Sequence, residues 1–220
     1  IYVLGIVGDD VYEYNLSTAF DVSSASYVQS FYVGSQEVTP MGMTFNNDGT
    51  KMFITGWSGD DVNEYSLSTA FDVSSATYAG DAERFMVGSQ ETYPEGIQFN
   101  NNGTKMYVIG TSGDDVNEYS LSTAFDVSTA SYVQNFSVAS QDIQPSGLAF
   151  NNDGTKMFVV GDHGNDINEY NLTTAFDVST ASYVQNLLVL SQDTGPGGIA
   201  FNNDATKMFV IGYGSDKVYE

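Results

Sequence analysis

Apolar residues fall along this chain in short runs of four to eight, cut by Gly, Asn, Asp, Ser and Pro, and no 3.6-residue stripe persists. That pattern predicts short β-strands and excludes amphipathic helices of any length. Between Pro145 and Pro196 four runs stand out: Gly147 to Phe150, Lys156 to Gly161, Asp166 to Leu172 and Ser182 to Val189. All are rich in Val, Ile, Phe, Tyr and Leu, residues that suit a pleated surface. NNDGT, between the first two, predicts a hairpin turn because Asn, Asp and Gly tolerate positive φ. Strict alternation is weak, so apolar side chains fall on both faces, as they do in a sheet sandwiched between two neighbours. STAFDVSTAS (Ser122 to Ser131) fits either a long loop with Phe125 and Val127 turned inward or one helical turn.

The same four runs recur. FNNDGTKMF from Phe45 returns from Phe99, Phe150 and Phe201 at spacings of 54, 51 and 51 residues. VYEYNLSTAFDVS from Val11 returns from Val62, Val116 and Ile167, and begins again at Val218. The three extra residues lie in AGDAERFMVG, between Tyr78 and Ser89. A sustained period of this size marks an array in which one unit cannot bury its own faces. Residues 1–220 therefore read as one domain or a segment of one, with repeats starting near 11, 62, 116, 167 and 218.

Four strands in about fifty residues is the blade of a β-propeller. The pattern P-x-G-[LIM]-x-F-N-N-[DN]-G-T-K-M-[FY], carried by each repeat, resembles the inner two strands of bacterial YVTN-type and NHL-type propeller repeats. That resemblance implies the fold and is nearly silent on function, because such propellers include scaffolds, binding modules and lactonases. No lactonase site motif is matched here. With strands named A to D from the axis outward, Ile1 to Gly5 aligns with strand B (Met208 to Gly212) and Glu220 falls within strand C. The expectation is three complete blades flanked by two partial ones, from a ring of five or more. The alternative is a closed four-bladed ring, which would orphan the apolar segment from Lys207 to Glu220. On this reading the chain, which opens at Ile1 without Met, is a piece of something longer or shares strands with another copy.

Charge and composition narrow the partners. The chain carries 28 acidic and 6 basic side chains, a net charge of −22, and no cysteine. Nucleic acid and anionic membranes are excluded as partners on electrostatic grounds. Disulfides, thiolate metal sites and cysteine nucleophiles are excluded by composition. An acidic, cysteine-free repeat suits an extracellular, cell-surface or virion-surface setting. Asn15, Asn135 and Asn171 stand in N-x-[ST] sequons. The repeated GDD-V-x-E-Y groups carboxylates (Asp60, Asp61 and Glu64 in one copy), which suit weak Ca²⁺ association. Their plainer role is to end a turn (Asp) and to pair with the recurrent Lys of GTK (Glu). No cofactor is expected.

Positions that vary between copies are free of the demands of blade packing. Connections A–B and C–D hardly change, whereas B–C and D–A change freely, and in a propeller these two share one face. Ile6 becomes Trp57, Thr111, Asp162 and Tyr213 in successive copies, and Val7 becomes Ser58, Ser112, His163 and Gly214. In the D–A connection, Met41, Glu95, Ser146 and Gly197 vary behind a constant Pro. The predicted ligand face is thus Trp57, Tyr93, Glu95, Ser146, Asp162, His163 and Tyr213, with aromatics to stack on a glycan or peptide. A non-enzymatic binding or structural module is the leading reading, with no catalytic residue assigned. A propeller-type hydrolase or lactonase using Asp162 and His163 is the alternative. The latter has neither a GxSxG elbow nor a multi-histidine metal site behind it.

Overall fold

The computed structural model describes residues 1–220 and is all-β apart from single 3-10 turns. Five antiparallel sheets follow one another along the chain. The first is β1 (Tyr2–Gly5), β2 (Asp10–Leu16) and β3 (Ala25–Tyr32). The second is β4 (Pro40–Phe45), β5 (Lys51–Gly56) and β6 (Asp61–Leu67), with an outer edge split into β7 (Ala76–Tyr78) and β8 (Phe85–Met86). The third is β9 (Pro94–Phe99), β10 (Lys105–Gly110), β11 (Asp115–Leu121) and β12 (Ala130–Ser137). The fourth is β13 (Pro145–Phe150), β14 (Lys156–Gly161), β15 (Asp166–Leu172) and β16 (Ala181–Leu188). The fifth is β17 (Pro196–Phe201), β18 (Met208–Gly212) and β19 (Val218–Tyr219). The strands β4, β9, β13 and β17 lie side by side around the axis, with β1 next to β4.

The architecture is a five-bladed β-propeller. The blade count corrects the expectation of three complete blades with two partial ones, and it rules out the closed four-bladed alternative. The terminal sheets are blades in their own right, because they pack on each other through the contact that joins the others. Lys51 and Lys105 donate from Nζ to the Phe125 and Phe176 carbonyls of the following blade, at 2.8 and 2.7 Å. Lys207 in the fifth blade donates in the same way to the Phe20 carbonyl of the first, at 2.8 Å. Phe209 stacks on Phe20, and Glu220 accepts the Val22 backbone N–H at 3.3 Å. Ring closure without a covalent strand exchange was invisible in the repeat pattern, which records only neighbours along the chain.

The core sits between blades rather than within them. One cluster joins Phe53 and Val62 of the second blade to Met106 and Tyr119 of the third; another joins Tyr107 and Val116 to Met157 and Tyr170. Burial on both faces explains the weak alternation of the strands.

The repeated motifs prove to be joints. Asn46 Nδ2 donates to Thr50 Oγ1 while its Oδ1 accepts the Lys51 N–H, and Asp48 Oδ1 accepts the Thr50 N–H. The second Asn reaches sideways: Asn47 donates to the Asn101 carbonyl, Asn101 to that of Asn152, and Asn152 to that of Asn203. In STAFDVSTAS the sequence left loop and helical turn open; the structure has a turn followed by the 3-10 turn Val127–Thr129, with Val127 fully buried. The recurrent ion pair is also present, with Lys51 to Glu64 at 2.6 Å and Lys105 to Glu118 at 2.7 Å.

The fourth A–B turn departs from the others. Gly49, Gly103 and Gly154 all have φ near +70°, and the corresponding residue in the fifth blade is Ala205, at φ +56°. A left-handed conformation disfavours any residue with a Cβ. We expect Ala205→Gly to raise stability by about 0.5–1 kcal/mol, measured as an increase in the denaturation midpoint at unchanged slope.

Candidate functional site

Each inner strand begins with Pro-x-Gly, and the register shifts there. Pro94 pairs with Gly110 and Gly96 with Ile109, so Glu95 has no partner across the ladder. Met41, Ser146 and Gly197 are skipped in the same way. A bulge of this kind re-aims a side chain. Here the bulged residue of every blade that has one lines the axial cavity. The cavity measures about 750 Å³ and is lined mainly by apolar residues of the inner strands and of β1, including Leu4, Ile97, Leu148 and Ile199. On the side of the first blade it is lined by β1, which hydrogen-bonds only to β2.

Glu95 is the acid at the cavity mouth. It is buried, and its Oε1 accepts the Trp57 indole N–H at 3.1 Å. Burial pushes its carboxyl up to about 7; the indole hydrogen bond opposes that rise, and the charges of Glu91 and Asp162 add to it. The Trp57 ring meets Tyr93 edge-on, with centroids 5.7 Å apart. From the fifth blade Tyr213 leans over the axis, its hydroxyl end resting on Gly197, where a Cβ would come within 2.9 Å. Burial, followed by the charges of Glu95 and Asp162, raises the Tyr213 phenol.

The structure thus gathers Trp57, Tyr93, Glu95, Asp162 and Tyr213 from four blades at one mouth. Ser146 is at the axis too, but it is buried and its Oγ donates to the Val160 and Pro196 carbonyls at 3.2 and 2.9 Å. Its hydroxyl braces two blades instead of facing a ligand. His163 is exposed on the neighbouring B–C turn.

One set of functional side chains escaped the sequence reading. Glu37, Glu91, Asp142 and Asp193 are all buried, and they hold the variable loops in shape. Glu91 accepts the backbone N–H groups of Tyr93, Ser112 and Gly113 at 2.8, 3.0 and 3.2 Å. Asp193 does the same for Gly195, Gly214 and Ser215, at 2.9, 3.0 and 3.1 Å. Although burial disfavours its charge, the Ser215 hydroxyl and these N–H groups outweigh that and hold the Asp193 carboxyl low. The signal was present as SQ-[ED]-x-x-P in every copy. Constant acid inside a variable loop marks the anchor of that loop.

Comparison with solved structures agrees on the architecture. A candidate 6-phosphogluconolactonase from Bacteroides fragilis superposes with a TM-score of 0.59 at 12% identity, covering 96% of this chain and 59% of that one. A chain of the nidogen/laminin complex gives a TM-score of 0.60 at 11% identity, covering 96% of this chain and 70% of that one. The periplasmic gluconolactonase of Pseudomonas aeruginosa gives 0.51 at 18%, covering 95% and 58%. These likenesses are of fold alone. The chain spans about six-tenths of the length of the first of these structures. No protein-family model matches the chain, and no curated sequence relative matches it.

Proposed function

We propose that the chain is a non-enzymatic binding module of an extracellular or surface protein, and that its ligand is an extended peptide entering the axial cavity from the B–C and D–A face. The YVTN/NHL-type repeat pattern and the binding propeller of the nidogen/laminin complex are in keeping with that class. The observation that carries the reading is the convergence of Trp57, Glu95, Asp162 and Tyr213 from four blades at the mouth of the axial cavity. Behind that mouth the cavity is apolar, and within residues 1–220 the edge of β1 that lines it pairs with no strand. A peptide strand satisfies such an edge with its backbone and places alternate side chains in the cavity. A glycan, which the aromatic loops alone would also suit, finds few polar partners inside. At the mouth Glu95 and Asp162 favour a basic group on the ligand, which Trp57 and Tyr213 flank.

The test is a titration of fluorescent seven-residue peptides of the inner-strand pattern, with and without a terminal Lys. We expect saturable binding that is favoured by the Lys and weakened at least tenfold by Trp57→Ala and Tyr213→Ala, with little change in melting temperature. Binding indifferent to both substitutions, or binding only to glycans, defeats the reading.

A lactonase or hydrolase reading keeps one observation in its favour. A carboxyl that titrates near neutrality is suited to general-base work, and Glu95 is such a group, with Asp162 and His163 on the adjacent turn. Lactone hydrolysis lost in both Glu95→Gln and His163→Ala would establish it over the binding role.

A further inference from the structure

The second blade differs from the rest at its outer edge, and the difference concentrates charge. At the first and third interfaces a glutamine amide joins two acids across the blade boundary. Gln29 Nε2 donates to Glu13 Oε2 at 2.8 Å and to Asp72 Oδ1 at 2.7 Å. Gln134 Nε2 donates to Glu118 Oε2 at 3.0 Å and to Asp177 Oδ1 at 2.8 Å. Those same Oε2 atoms accept a backbone N–H of the next blade, from Val73 at 3.2 Å and Val178 at 3.1 Å.

Between the second and third blades this joint is rebuilt. The segment with three extra residues breaks the outer strand into β7 and β8 and inserts the 3-10 turn Asp81–Glu83. No glutamine bridges Glu64 and Asp126. A third acid, Glu83, stands there instead, and oxygens of Glu64, Glu83 and Asp126 lie within 4.8 Å of one another. Glu64 is 3% exposed, and its Oε2 is buried without any hydrogen-bond partner. Buried oxygens are rarely left so. Asp126 is also distinct. Asp21, Asp72 and Asp177 each accept both the backbone N–H and the hydroxyl of the Ser two residues on, whereas Asp126 accepts only the Ser128 hydroxyl, at 2.6 Å.

The local charge is unbalanced. Of the nearby cations, Lys51 pairs with Glu64 Oε1 at 2.6 Å, and Arg84 is engaged with Asp61 at 3.3 Å. Three carboxylates against one ammonium leave two negative charges. We propose that Glu64, Glu83 and Asp126 bind a divalent cation, Ca²⁺ in preference to Mg²⁺, which joins the second blade to the third as glutamine joins the first to the second and the third to the fourth. The donors are all hard oxygens, with neither imidazole nor thiolate among them. Oxygens about 2.3–2.6 Å from a central Ca²⁺ lie up to about 5 Å apart across it, which matches the cluster. Mg²⁺ requires a tighter octahedron and gives up its water reluctantly. Because Glu83 sits on a half-exposed turn, the ion has a route in from solvent.

The site is tested by titrating CaCl₂ and MgCl₂ into the chelator-stripped protein in 0.15 M KCl, which screens the diffuse pull of the acidic surface. The readouts are calorimetry and melting temperature. One Ca²⁺ per chain is expected, with a rise of several degrees in melting temperature and a smaller response to Mg²⁺. Glu83→Gln restores an amide beside the two remaining acids. It is expected to fold, to melt higher than the parent in chelator, and to lose at least tenfold in Ca²⁺ affinity. Asp216→Asn removes an exposed carboxylate from the last B–C turn and is expected to leave Ca²⁺ binding unchanged. Equal Ca²⁺ responses in the parent and Glu83→Gln, or equal losses in both variants, overturn the site, as does the absence of a stoichiometric step.

Discussion

Gly154→Ala is expected to destabilise the protein by about 3 kcal/mol or more, although the fifth copy of the same turn already carries alanine. Part of the cost is conformational. At φ +71° a residue with a Cβ is strained by about 1–2 kcal/mol. The larger part is steric, since a Cβ on Gly154 would fall 2.2 Å from Phe176 Cδ2. Phe176 has little room to retreat. Its own φ is +58°, its N–H is bonded to the Gly154 carbonyl at 2.9 Å, and its carbonyl receives Lys105 Nζ at 2.7 Å. Its ring also packs on Phe150, with centroids 5.5 Å apart. Displacing it therefore loosens the joint between the third and fourth blades. Ala205 escapes this penalty because it is exposed, whereas Gly154 is buried against Phe176. Chemical denaturation of Gly154→Ala beside Ala205→Gly measures the contrast directly. Similar small effects at both positions would show that Phe176 moves freely, and the account of these turns would be wrong.

The contrast also shows what was legible in the chain. Gly154 and Phe176 belong to motifs that the repeats display openly, and their meaning as a joint follows once the strands are placed. The Lys–Glu pair was readable for the same reason, because its members are diagonal neighbours on the two strands of one hairpin. Contacts that cross blades were not. Gln134 bridges Glu118 and Asp177, which lie 16 and 43 positions from it, yet nothing in their spacing distinguishes a bridge from two solvated acids. The blade count was hidden in a similar way. Closure rests on Lys207 reaching Phe20, a contact between residues 187 apart, and it follows from how far each blade turns relative to the last. The candidate site lay between these cases. Variation among copies located Trp57, Glu95, Asp162 and Tyr213 on one face, while the bulge that aims Glu95 inward and the buried acids that hold the loops are consequences of packing. The Glu64, Glu83 and Asp126 cluster was least legible, since its third member comes from the insertion that breaks the repeat.

Glu95 is expected to make the protein more stable at pH 5 than at pH 8, and Glu95→Gln to abolish that part of the difference. The carboxyl titrates near 7 in the folded chain, because burial disfavours its charge more than the Trp57 indole supports it. In the unfolded chain it titrates at about 4.3. Between those values the folded state holds a proton that the unfolded state has released, so stability falls as pH rises through this window. The contribution is complete below the unfolded value and gone above the folded one. A shift of this size corresponds to about 3 kcal/mol, or roughly 6–12 °C in the melting temperature of a domain this large. Asp61, Glu64, Asp114 and Asp115 are also raised, chiefly by burial, and act in the same direction. The comparison with Glu95→Gln isolates one residue from that background. Glutamine keeps an oxygen for the indole N–H and carries no charge at any pH, so the variant should exceed the parent by about 1 kcal/mol at pH 5 and by about 3 kcal/mol at pH 8. A constant difference between the two proteins from pH 5 to 8 would mean that Glu95 titrates like a solvated acid. A basic peptide seated at the mouth supplies a second check, because it should draw the Glu95 proton off and be bound more tightly at pH 8 than at pH 5.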